Sequence, residues 1–294
     1  MTDILTTLFQ AIVNGLMIGG IYSLIAVGLT LIFGVSRIIN FAHGEYLMAG
    51  MYLTYWLYVF GKIDPYLSIL ISVPALFFMG VLTQKIFVNP LIKRGLLGQT
   101  ILVTLGLSIV MQNVALFFWS ADYRSVKTGY SAATMEIANV LISIPRLMAF
   151  ISAFVAASAF MMFLLRTYTG RAIRAVAQDP ETASLMGINI SHVGLISFGL
   201  GSALVAIAGA IMMPVYYVFP TVGGVFGLLA FVIVVLGGLG SFVGAFLGGI
   251  VIGLVESLTG VLFRPEFKEA GAFLLFMLIL FFRPTGLFGK YAWK

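Results

Sequence analysis

The sequence predicts an all-α fold, a polytopic integral membrane bundle of eight or nine transmembrane segments forming one domain over 1–294. Three observations predict it. Of 294 residues, 61% are hydrophobic and only 9% are charged, whereas a soluble domain carries roughly 45–50% apolar and about 25% charged residues. Mean hydropathy is +1.13, far more apolar surface than the chain's own core could hide. The apolar residues also come in runs near the roughly 20 residues that a helix needs to cross a bilayer. Strand alternation is absent, and glycine lies inside the long runs, as membrane helices tolerate.

In chain order the candidate spans are about 8–34, 39–60, 66–88, 100–119, 145–165, 193–217, 222–236, 241–262 and 270–283. The opening residues MTDILTTLFQ have no basic n-region and no A-x-A cleavage site, so the first run is expected to be a retained span rather than a signal peptide. The second is the candidate for a re-entrant segment. The short seventh and ninth are expected to be half-spans or tilted ends.

Basic residues set the orientation, because Lys and Arg collect in cytoplasmic loops. With the N-terminus outside, the C-terminus inside and nine crossings, ten fall inside: Arg37, Lys85, Lys93, Arg94, Arg166, Arg171, Arg174, Arg283, Lys290 and Lys294. Six fall outside: Lys62, Arg124, Lys127, Arg146, Arg264 and Lys268. The same distribution accounts for the net charge of +6 without any nucleic-acid partner. The chain has no cysteine, which excludes disulfides, thiol catalysis and cysteine-ligated metal.

The 33 glycines include the runs GLGSALVAIAGA (199–210) and GGLGSFVGAFLGG (237–249). Small residues let helix backbones approach closely in lipid, where the hydrophobic effect cannot drive packing. A faint echo joins SLIAVG (23–28) to ALVAIAG (203–209), at the cost of a one-residue gap.

Polar residues inside this apolar mass are the functional candidates, since an intramembrane polar group is costly to keep. NFAHGE places Asn40, His43 and Glu45 after the first span. They either cap a broken helix, with Gly44 permitting the bend, or line the pathway. His43 and Glu45 are two apart and do not share a helix face, and no further histidine or cysteine completes a metal site. Gln112 and Asn113 lie inside the fourth span, Glu256 inside the eighth near its outer end, and Tyr22 inside the first. No Walker A loop, H-E-x-x-H or G-x-S-x-G is present. Neither catalytic nor metal-binding residues are predicted, and no cofactor is bound by this chain.

RAIRAVAQDPETASLMG (171–187) reads differently. Ile173, Val176 and Ala177 share one helical face, while Arg171, Arg174 and Gln178 form another. Asp179 is then an N-cap, Pro180 suits the first helical position, and Glu181 places negative charge where the helix dipole favours it. Gly187 can end the helix in a left-handed conformation. A helix over 180–186 is too short to stand alone in water, so something must hold it.

NGLMIGGIYSLIAVGLTLIFGVSRIINFAHGEYLMAGMY (14–52), GRAIRAVAQDPETASLMGINISHV (170–193), LGGLGSFVGAFLGGIVIGLVES (236–257) and RPTGLFG (283–289) together resemble the LivH-type permeases of branched-chain amino acid ABC importers. QKIFVNPLIKRG (84–95) departs from the family, which more often has an acidic–basic pair and Arg-Pro there. The resemblance implies a multi-pass protein of the bacterial inner membrane, surrounded by lipid. It would work with a second related permease, two cytoplasmic ATPases that bind the ATP, and an extracytoplasmic solute-binding protein. The cargo would be a branched-chain or other hydrophobic amino acid, or a similar neutral or zwitterionic solute. The rival class is a stand-alone channel or secondary transporter for a small neutral solute such as urea or an amide. The resemblance also implies an ATPase-coupling segment at about 166–192, carried by Gly170, Arg171, Arg174, Asp179, Pro180, Glu181, Ala183 and Gly187. Ala183 would face the ATPase. Tyr22, Asn40, His43, Glu45, Gln112 and Asn113 would lie along the path.

Overall fold

The computed structural model describes residues 2–137 and 140–289. Among these residues twelve α-helices follow one another: α1 (Thr2–Ser36), α2 (His43–Gly61), α3 (Pro65–Thr83), α4 (Asn89–Lys93), α5 (Gln99–Trp119), α6 (Ile144–Arg166), α7 (Tyr168–Gln178), α8 (Pro180–Leu185), α9 (Ile190–Met212), α10 (Val222–Gly237), α11 (Phe242–Leu262) and α12 (Lys268–Phe282). Local chemistry sets many of the boundaries. Lys62 ends α2 in a left-handed conformation, and Asp64 caps α3 by accepting from the Tyr66 amide, with Pro65 at the first position. Pro90 cannot donate to the carbonyl four residues back, and the turn before it widens into a π-helical stretch over Gln84–Val88. That stretch lies in the segment where the sequence departs from the family.

Among the described residues six helices are long and apolar enough to cross a membrane: Ile4–Ser36, Pro65–Lys93, Gln99–Trp119, Ile144–Arg166, Ile190–Met212 and Phe242–Leu262. The other expected segments fall on α2, α10 and α12. The first carries His43 and Glu45 in its opening turn, and the other two have only 16 and 15 residues. The fold is not wholly helical either. Thr134–Ile137 and Val140–Ser143 pair as an antiparallel hairpin between α5 and α6. An apolar alternation too short to register among the spans was enough to form a ladder there.

α1 and α9 are the two central helices, with most of their apolar windows buried inside the protein. They head two repeats: α1 packs on α11 as α9 packs on α3. Contacts on the axis between them are reciprocal. A Cβ on Gly28 would lie 2.7 Å from the Gly201 carbonyl oxygen, and one on Gly201 would lie 2.7 Å from that of Gly28. Gly44 and Gly223, in the first turns of α2 and α10, press on each other's carbonyl oxygens in the same way. Such exchange of one residue pair is the mark of a two-fold relation. Gly194 near the start of α9 lies beside Ser36 at the end of α1, so the two helices run antiparallel and the repeats are inverted. The sequence echo aligned Gly28 with Gly209. The structure pairs Gly28 with Gly201 instead, because close backbone approach at a helix crossing depends on which glycines face each other.

Candidate functional site

Between Ser36 and His43 the chain is not helical. The turn is made at Arg37, whose φ is 52°, and not at Gly44, which was expected to permit the bend. Gly44 is needed for a different reason: a side chain there would strike the Gly223 carbonyl oxygen. Asn40 Oδ1 accepts from the Ala42 amide at 3.1 Å, and the His43 amide donates to the Asn40 carbonyl at 3.2 Å. Asn40 thus closes a turn just before α2, whose N-cap, Ala42, receives no side-chain cap. His43 Nε2 lies 3.0 Å from the Ile25 carbonyl oxygen, an acceptor, so that nitrogen carries the proton.

Glu45 points the other way, towards α5. Its Oε1 accepts from the Ser108 hydroxyl at 3.1 Å and from Gln112 Nε2 at 2.7 Å. Thr104, one turn earlier on α5, donates to the Ile39 carbonyl and receives the Phe41 amide. Thr100, Thr104, Ser108 and Gln112 therefore form a stripe at four-residue spacing, set against the α1–α2 break and Glu45. Sequence reading found Gln112 and missed the hydroxyls, which are small and common in apolar runs. Their spacing was the available signal. Asn113 does not join them. One residue further is about 100° around the helix, and its Nδ2 donates to the Ile109 carbonyl of its own helix on the exposed side.

Tyr22 belongs to another cluster. Its hydroxyl donates to Glu256 Oε2 at 2.9 Å, and its ring lies 6.2 Å from that of Phe226, which also meets Tyr216 at 5.6 Å. Glu256 is buried and partnered.

At the end of the bundle where α1 stops and α9 starts, α7 buries Gly170, Ile173 and Val176. A Cβ on Gly170 would strike the backbone of α6 at Phe163 and Leu164. Arg174 Nε donates to the Leu164 carbonyl at 3.1 Å, while Arg171 is exposed. Asp179 caps α8, accepting from the Glu181 and Thr182 amides at 3.0 and 3.2 Å. The Thr182 hydroxyl and amide are the chief reason its carboxyl titrates below the usual aspartate value. Pro180 opens the helix, Glu181 is exposed in its first turn, and Gly187 has a φ of 81°. Ala183 corrects an expectation. It is 4% exposed and part of the protein's own core, so it holds α8 to the bundle and does not stand on the outer side. The side chains turned outward are Leu185 and Met186, 87% and 79% exposed. Cβ of Ala183 fits the tight inner side of a short helix, and the larger residues are left on the outer side.

A helical membrane bundle whose inverted repeats meet at two helix starts, with a capped amphipathic appendage at one end, has the architecture of a transport protein. The comparisons define which. The model of the family described as branched-chain amino acid transport system / permease component matches residues 11–282, and the chain belongs to that family. It is 32% identical to the high-affinity branched-chain amino acid transport system permease protein BraD of Pseudomonas aeruginosa, over 96% of this chain and 95% of that one. LivH of Escherichia coli K12, a protein of the same description, is also 32% identical, with the same coverage. The probable branched-chain amino acid transport permease protein LivM of Methanocaldococcus jannaschii is 25% identical over 91% of this chain and 90% of its own. No solved structure matches. The family is one of transport permeases, not of enzymes. Among the described residues no group of three or more His, Cys, Asp or Glu is placed to hold a metal.

Proposed function

We propose that the chain is the membrane subunit of an ATP-driven importer that carries branched-chain or other hydrophobic amino acids across the bacterial inner membrane. A second related permease completes the path. Two cytoplasmic ATPases bind and hydrolyse the ATP, and an extracytoplasmic binding protein delivers the solute. The likeness to both LivH and LivM supports a paralogue as that second permease. The observation that carries the reading is the α7–α8 appendage: it is anchored by Ile173, Val176 and Ala183 and offers Leu185 and Met186 outward. A stand-alone channel has no use for such a surface. An ATPase groove does, and 166–192 is assigned as the coupling segment.

The orientation follows from the same end of the bundle. Arg166, Arg171 and Arg174 lie in or beside the appendage, and Lys85 in the π-helical stretch that packs on α9, which supports a cytoplasmic location there. Lys290 and Lys294, counted with them, lie outside the described residues. Nine crossings are proposed, with α2 and α10 starting inside the bundle rather than at its surface. Asn40, His43, Glu45 and Gln112 are assigned to the path, and Tyr22 to the wall beside it.

The test is ATP-dependent leucine uptake by vesicles containing this chain, its partner permease, both ATPases and the binding protein. Leu185→Asp should reduce uptake at least about tenfold and weaken copurification of the ATPases, a loss of roughly 1.4 kcal/mol or more of docking energy. Wild-type uptake and association in that variant would put the docking surface elsewhere.

A further inference from the structure

We propose that the Glu45 carboxylate is the recognition group for the ammonium of the transported solute, at the point where the two helix starts meet. This rests on the importer function above and narrows its cargo to solutes bearing a primary ammonium group.

Glu45 is 1% exposed and sits in the first turn of α2. Its Oε1 holds the Ser108 and Gln112 donors, while Oε2 has no hydrogen-bond partner. Oε2 is aimed at Gly223 in the first turn of α10, so closely that any side chain there would overlap it. Two helix N-termini thus converge on one carboxyl group. Glu45 itself fills the place where those termini would otherwise attract an anion.

What is missing is a counter-ion. Neither α1, α2, α5 nor α10, the elements around this carboxylate, contains a lysine or arginine. His43 is turned away, towards Ile25. An ionisable side chain buried in a membrane protein pairs with another group or marks a substrate path, and Oε2 has no such partner within the protein. A solute ammonium brings both the positive charge and N–H donors for Oε2. A neutral amide or urea would bring donors but no charge. Displacement of α5 would open this group, because α5 covers it with its polar stripe and Ala115 and exposes much of its remaining surface.

The complete complex, in lipid nanodiscs without binding protein, is tested for tritiated leucine binding by scintillation proximity. Two competitors separate the ends of the solute: isopentylamine keeps the ammonium and lacks the carboxylate, and 4-methylpentanoate does the reverse. In the wild type the amine should displace leucine and the acid should not. Glu45→Gln should weaken leucine binding about 30-fold or more, as expected for truncating one partner of a buried charge pair. Glu45→Asp, which keeps the charge, should retain the preference for amine over acid, and so should Ser108→Ala, which removes a donor from Oε1 alone. The site is overturned by absent leucine binding in the wild type, by an acid that competes as well as the amine, by wild-type affinity in Glu45→Gln, or by loss of the amine preference in Glu45→Asp. Failure of wild-type vesicles to accumulate leucine overturns the importer function itself. Leucine accumulation with equal uptake by Glu45→Gln removes only the ammonium site.

Discussion

Gly44 and Gly223 show at single-residue scale why glycine is used where α2 and α10 begin. Each backbone occupies the space that the other's Cβ would need. Gly44→Ala should therefore cost about 3 kcal/mol or more, at or beyond the usual range for overpacking, because the obstacle is a backbone carbonyl that cannot change rotamer. Gly98, where an added Cβ meets nothing within 4 Å, provides the control. Thermal unfolding of the detergent-solubilised variants checks this, and equal melting of Gly44→Ala and Gly98→Ala would refute it. Asp179 makes a pH prediction of definite sign. Its carboxyl titrates below its ordinary value through its bonds to Thr182 and Glu181. A depressed folded value stabilises the cap above the unfolded pKa, and that stabilisation is lost as pH falls through the folded one. The protection of the Glu181 and Thr182 amides, taken as exchange relative to the intrinsic rate at each pH, should fall on acidification in the wild type and be low at every pH in Asp179→Ala. His43→Ala and Asn40→Ala should lower uptake while the ATPases still copurify. Normal uptake in both would leave these residues a structural role at the α1–α2 break alone.

Among the elements, α8 was readable because caps are local chemistry: Asp179, Pro180 and Gly187 act through neighbours in sequence. Its outward face was not readable. A helix of six residues has too little periodicity to say which side is packed, and Ala183 was expected to face the ATPase. The structure buries that small side chain and exposes Leu185 and Met186. α5 makes the complementary point. Gln112 and Asn113 are equally polar and adjacent, yet only the first reaches Glu45, since neighbouring side chains on a helix diverge by about 100°. The hydroxyl stripe that accompanies Gln112 came to light only once Glu45 and the α1–α2 break were seen to lie against it.

For the whole molecule, the prediction concerns sidedness. Cysteines introduced at Ser131, beside the hairpin, and at Ser184, in the appendage, should label from opposite faces of the membrane. Labelling from one face would contradict the nine-crossing arrangement with the N-terminus outside. Six helices qualify as spans by length and composition, and the arrangement depends on α2, α10 and α12 crossing as well. The first two are short of apolar length because they start within the bundle, where protein rather than lipid surrounds their first turns. Backbone groups freed at such starts are tolerated at membrane depth only when protein or a cavity encloses them.

The amino-acid sequence by itself determined that this is a helical membrane protein, where most of its long helices run, the family it belongs to, and the capped appendage at 179–187. All of these rest on composition, on runs of about 20 apolar residues or on contacts between near neighbours. Only the tertiary structure decided which glycines meet, that two inverted repeats are related through Gly28–Gly201 and Gly44–Gly223, and that Glu45 faces α5 and α10 while Tyr22 faces Glu256. These pairings join residues up to 234 positions apart. In lipid, apolarity is needed on every outward face, so it cannot also mark which face turns inward. That choice falls to the close fit of small residues and a few polar groups, which acquires meaning only when the helices are brought together.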